Sequence, residues 1–170
     1  MIGIPERTEA ASYYYTYIDR IKNPDVTAQL EAQLKETPNF FRRISEEKSL
    51  HRYAPDKWSI RQTLSHINDA ERVFAYRALW FARGFETPLP SFDQNVAAGT
   101  ADADNRSWAS HVEEFEGIRL ATIALFRNLP AEAWARKGIA SDNPFTVRAL
   151  AYVIGGHLAH HRAILETRYL

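Results

Sequence analysis

Apolar side chains recur along this chain at helical spacing, and they mark four long segments. The first runs from Val26 to Ile44 on Leu30, Leu34, Phe41 and Ile44. Pro38 interrupts it, so a kink or a break is expected there. Just upstream, Tyr13 to Ile18 reads as a short helix. The second segment starts after Ser59, a suitable N-cap, and carries Ile60, Leu64, Ile67, Phe74, Ala78 and Phe81 to a stop at Gly84. The third spans Ser107 to Asn128, with Trp108, Val112, Phe115, Ile118, Thr122 and Leu125 on one stripe. The fourth opens at Thr146 and continues to the C-terminus on Val147, Leu150, Ile154, Leu158, Ile164 and Leu165.

Residues 85–106 contain Pro88, Pro90, Gly99 and a polar run, which argue against a helix. A loop of that length exceeds what a helix connection needs and suits a cover over a site. No segment shows the alternation of a strand. The expectation is therefore an all-α chain forming a four-helix bundle, one domain over residues 1–170.

On a heptad laid over the fourth helix, Val147, Ile154 and His161 share one inward position, and Leu150, His157 and Ile164 share the other. His157 and His161 thus lie one turn apart in an apolar seam. A single inward histidine is usually a satisfied core residue. Two in one seam each need partners, and an unpaired buried nitrogen costs about 1–3 kcal/mol. One divalent metal ion satisfies both. His66, on a flank of the second helix with Val73 and Trp80, is a candidate third ligand. His160 lies beside the seam; His111 and His51 are expected in surface or capping roles.

Asp69, one turn after His66, can orient a ligand or accept a proton, or can be an exposed helix carboxylate. Gly155-Gly156 in mid-helix costs about 1 kcal/mol per glycine relative to alanine, which close helix approach beside His157 would explain. Tyr13 to Tyr17 are expected to pack rather than line a pocket, and Glu71 to Arg77 to form a solvated or ion-paired face.

Composition narrows the chemistry. There is no cysteine, so disulfides, a catalytic thiol and thiolate ligands are excluded. Lys plus Arg total 21 and Asp plus Glu total 21, which gives no basic excess for nucleic acid or an anionic membrane. No signal-peptide core or membrane-length apolar run is present, so a cytoplasmic location is expected. Glu-x-x-His, His-Glu-x-x-His, a phosphate-binding glycine loop and Gly-x-Ser-x-Gly are all missing.

Across nearly the whole chain the sequence resembles the DinB-like superfamily of metal-binding four-helix proteins, which includes bacterial thiol S-transferases. The resemblance rests on Tyr-Ala-Pro-Asp-Lys-Trp-Ser-Ile (53–60) and His-Ile-Asn-Asp-Ala-Glu-Arg-Val-Phe-Ala-Tyr-Arg (66–77). Pro-Leu-Pro-Ser-Phe-Asp-Gln-Asn (88–95) and Gly-Gly-His-Leu-Ala-His-His-Arg-Ala-Ile-Leu (155–165) complete it. It implies a metal triad of His66, His157 and His161, with zinc or nickel as the ion, and a homodimer. It further implies a small-molecule substrate and, in one branch, a low-molecular-weight thiol as co-substrate. Three readings follow: a metal-dependent thiol transferase, a metal-dependent hydrolase, or a metal-binding protein without turnover. For an enzyme, Asp69 and Asp93 are the candidates for handling protons or holding the cofactor.

Overall fold

A computed structural model describes residues 2–170. A 3-10 turn at Ser12–Tyr14 leads into the short α1 (Tyr15–Ile18). Helix α2 (Val26–Arg42) starts at Asp25, whose carboxylate accepts from the Ala28 amide. It runs through Pro38 without interruption, so the expected break does not occur. Proline removes one hydrogen bond near the helix end, and packing on two later helices, Trp108–Arg127 and Val147–Ile164, holds the rest. Helix α3 (Ile60–Ala82) opens on a reciprocal capping box between Ser59 and Gln62. After α4 (Gln94–Thr100) come α5 (Trp108–Arg127), a hairpin of β1 (Lys137–Ala140) and β2 (Asn143–Thr146), and α6 (Val147–Ile164). Thr146 caps α6, and a π-helical turn at Leu165–Tyr169 extends it.

Two of these elements correct the sequence expectation. Helix α4 lies in the segment expected to be loop; Asp93 caps it by accepting from the Asn95 and Val96 amides. Its residues bury no apolar stripe, so periodicity gave no signal for it. The hairpin was missed because its tip, Ser141-Asp142, lacks the usual glycine although both residues have positive φ, 52° and 59°. Pro144 within β2 also reads as a strand breaker; it is tolerated on this two-stranded ribbon, where it pairs with Ile139.

Helix α3 packs on α5 and α6, and α2 packs on the same two. Helices consecutive in the chain, α2 with α3 and α5 with α6, therefore form the diagonals of the bundle. Two apolar clusters fill it. One gathers Leu30, Phe74, Phe81, Phe126, Leu150 and Ile154; the other gathers Phe41, Leu64, Ile67, Phe115 and Leu158.

A polar layer separates them. Arg119 of α5 donates from Nε and Nη2 to both oxygens of Glu71 on α3, each at 2.8 Å. Its Nη1 donates to Gln33 Oε1 of α2 at 2.7 Å, and Gln33 Nε2 donates to the Gly155 carbonyl of α6 at 2.9 Å. One buried network thus touches all four long helices. Glu71 belongs to the run expected on a solvated or ion-paired face; it is ion-paired, but inside the core.

Removing one partner of a buried pair strands the other charge. Glu71→Ala is expected to lower stability by about 3–5 kcal/mol in denaturant titrations. The Glu71→Leu/Arg119→Met double variant should recover most of that. A double variant no better than the single one would mean that the charge pairing is not what matters.

Candidate metal centre

The heptad position of His157 and His161 on α6 places both rings toward α3, where His66 meets them. Nε2 of His157 stands 3.1 Å from Nε2 of His66 and 3.1 Å from Nε2 of His161. One nitrogen of each ring lies within 4.8 Å of the others. A neutral imidazole has one N–H and one lone pair. His157 Nε2 can therefore satisfy one neighbour by a hydrogen bond, but not both. Lone pairs converging on a common point resolve this if a cation occupies it. Donors at about 2.0–2.1 Å around a tetrahedral ion stand roughly 3.4 Å apart, close to the separations seen. The three residues fit a divalent metal.

Burial keeps these rings neutral. It lowers the pKa of His66 to about 4 and that of His161 to about 3, the latter with help from the neighbouring His66. His157, the most enclosed, is pushed well below 6.5 by burial and then by the surrounding histidines. Aromatic rings provide the enclosure. Tyr17 packs edge-on against His157 at 5.2 Å, Trp58 lies 5.0 Å from His66, and Phe74 lies 6.0 Å from His157.

Tyr17 reaches His157 because α6 has no side chain in the way. A Cβ on Gly156 would come within 2.0 Å of the Tyr17 carbonyl oxygen. The mid-helix glycine beside His157 thus marks a close backbone approach of α1 to α6. Tyr13, Tyr14 and Tyr17, expected to pack, line a pocket of about 120 Å³ together with His66 and His157. Arg77 and Ser141 line the same pocket.

The other sequence candidates lie elsewhere. His160 stacks edge-on against Tyr17 and His161, at 5.3 and 5.1 Å, outside the converging set. His111 is fully buried, not at the surface: its Nε2 pairs with the Ala103 carbonyl at 2.9 Å. It falls between Trp108 and Phe115 on the apolar stripe of α5, a position that foretells burial. His51 is exposed. Asp69 is half-buried and ion-paired with Arg72 at 3.5 Å; burial raises its pKa, but it does not line the pocket at the histidines. Asp93 is exposed and serves α4 as its cap.

A family model for the DinB superfamily matches residues 29–165. The chain belongs to the DinB superfamily. Its bundle also superposes on YfiT from Bacillus subtilis, described as "a probable metal-dependent hydrolase with an unusual four-helix bundle topology". That match has a TM-score of 0.69 at 18% identity, covering 94% of this chain and 87% of the other. At this identity the likeness is one of fold. No curated protein matches the sequence. No helix among the described residues is long and apolar enough to cross a membrane.

The low pKa values give this DinB-family site a pH signature. Unfolded, each imidazole takes up a proton near 6.5; folded, His66 does so only near 4. Between those values the unfolded chain binds more protons, so stability falls as pH falls. The metal-free protein should be fully stable above about pH 6.5 and should lose melting temperature progressively toward pH 4. That decline begins above the carboxylate range. Replacing all three histidines by glutamine should flatten it between pH 7 and 5; an unchanged slope would place its origin elsewhere.

Proposed function

We propose that this DinB-family protein is a metal-dependent hydrolase of a small substrate, with His66, His157 and His161 holding one divalent ion. The observation that carries the reading is three neutral imidazoles, two buried and one half-buried, that converge on one point, with His66 and His157 in the wall of a pocket. Zinc and nickel are the ions proposed, both suited to imidazole. An ion held by three neutral ligands would keep its full charge, polarise a carbonyl and lower the pKa of a coordinated water.

The chain's own groups shape what enters. Tyr17, Trp58 and Phe74 exclude bulk water from the imidazoles, which strengthens electrostatic interactions there. Tyr13 and Tyr17 share a hydrogen bond between their hydroxyls at 3.0 Å. Burial pushes the phenols of Tyr14 and Tyr17 up, so at neutral pH they serve as hydrogen-bond donors toward a carbonyl oxygen. No Asp or Glu lines this pocket. Its volume of about 120 Å³ falls below the roughly 300–1,000 Å³ of sites for drug-sized ligands, which favours a small substrate attacked by water. The fold neighbour described as a probable metal-dependent hydrolase is consistent with this reading.

Thiol transfer is the second reading, and one observation favours it. A separate pocket of about 290 Å³ opens on His161, lined by Tyr53, Lys57, Trp58 and Tyr169. Two pockets flanking one triad can admit two reactants. The chain has no cysteine, so the sulfur would come from a small molecule.

Protein purified without a histidine tag should carry one ion per chain and hydrolyse members of an ester and amide library with no thiol added. His157→Ala should lose the ion and lower turnover by more than about 100-fold, beyond the 10–100-fold typical of residues that only support a ligand. Turnover that requires an added thiol would shift the assignment to the transferase. Metal binding without turnover under either condition would leave a non-catalytic site.

A further inference from the structure

Three arginines of this protein are almost fully buried, and one of them lacks a counter-charge. Arg61, Arg77 and Arg119 are 5%, 4% and 0% exposed. Arg119 pairs with Glu71, and Arg61 pairs with Glu46 at 2.5 Å. Arg77 forms no ion pair among the described residues. Its Nη2 donates to the Pro90 carbonyl at 3.1 Å and to Ser141 Oγ at 2.7 Å, and the Tyr14 hydroxyl lies beside the guanidinium. All three partners are neutral. A buried charge is normally paired, because desolvation without a counter-ion is costly.

Arg77 is also a wall of the pocket that exposes His66 and His157. Its anchors come from two different places. Pro90 belongs to the segment after α3, and Ser141 sits at the positive-φ tip of the β1–β2 hairpin. They fix the guanidinium without neutralising it. With no carboxylate in the lining, Arg77 is the one formal charge that the pocket offers to a ligand.

We propose that this pocket receives a substrate bearing a carboxylate, and that Arg77 is the residue that binds it. Both Nη2 hydrogens are held by Pro90 and Ser141, so a carboxylate would be met by charge-assisted hydrogen bonds from the remaining donors on Nε and Nη1. Arg77 lies eleven positions beyond His66 on α3, roughly 16 Å along the helix axis at 1.5 Å per residue. Its side chain leans back toward the N-terminal end, and so toward His66. The carboxylate is therefore remote from the reacting bond, separated from it by a short chain.

The proposal rests on reading the triad pocket as the substrate site, but not on hydrolysis itself. The test therefore reads binding rather than turnover. Full-length protein, zinc-loaded and chelator-stripped, is titrated with straight-chain acids from acetate to hexanoate and with the matching primary amides, followed by NMR. In the stripped protein the better acids should bind at least about tenfold more tightly than their amides, as expected for a hydrogen bond to a charged group. Arg77→Met should erase that preference, and Arg77→Lys, which keeps the charge, should retain part of it. Arg77→Lys carries the comparison if Arg77→Met does not fold. Equal binding of acids and amides by the wild type would overturn the proposal. So would failure to bind either, an acid preference that survives in Arg77→Met, or tighter binding of phosphomonoesters than of carboxylates. Loss of metal stoichiometry with the acid preference intact would sink the hydrolase reading alone.

Discussion

The buried pair of Arg119 and Glu71 sets the register on which everything else in this bundle depends. Apolar stripes specify that helices pack, but they tolerate sliding by a turn. A bidentate ion pair extended through Gln33 to the Gly155 carbonyl does not tolerate it, since a shift would strand a charge in the core. Glu71 lies five residues after His66, and Gly155 lies two before His157. The network that aligns α3 with α6 therefore also aligns the halves of the triad. Geometry at the histidines is inherited from a polar layer that none of them touches.

Above that layer the site is built from exclusion. The three rings are held neutral by burial, with tyrosine, tryptophan and phenylalanine rings against them. The cost of desolvating imidazoles is modest when they stay uncharged, and it leaves lone pairs ready for a cation. Gly156 lets α1 close over α6, and the hairpin tip closes the far end through Ser141. Short irregular elements thus do the enclosing, while long helices do the positioning.

That division explains what was legible in the sequence. Helical periodicity revealed α2, α3, α5 and α6, and the heptad on α6 placed His157 and His161 inward. His66 was weaker by spacing alone; the family resemblance singled it out. Helix α4 and the hairpin escaped because neither depends on a repeated apolar face: one is held by an aspartate cap, the other by two non-glycine residues at positive φ. The buried polar residues were hidden by their own chemistry. Glu71 sits four after Ile67 and three before Phe74, and Arg77 sits three after Phe74 and four before Phe81. Both therefore lie on the apolar stripe of α3, as Arg119 does between Phe115 and Thr122 on α5. Charge placed on a stripe was the available signal. The tyrosines at 13–17 gave none, because packing and pocket-lining use the same side chains in the same spacing.

The neutrality of the triad reaches beyond the site. Because the rings are already deprotonated at pH 7, they would release no protons to an incoming ion, and filling the centre would add one or two positive charges, according to whether a coordinated water ionises, to a chain whose formal net charge is zero. A protein without net charge has little electrostatic repulsion between copies and is at its most prone to associate. The filled and empty forms would then differ in isoelectric point and in solubility, so that the metal supply would govern how the molecules of this protein treat one another as well as how each treats its substrate.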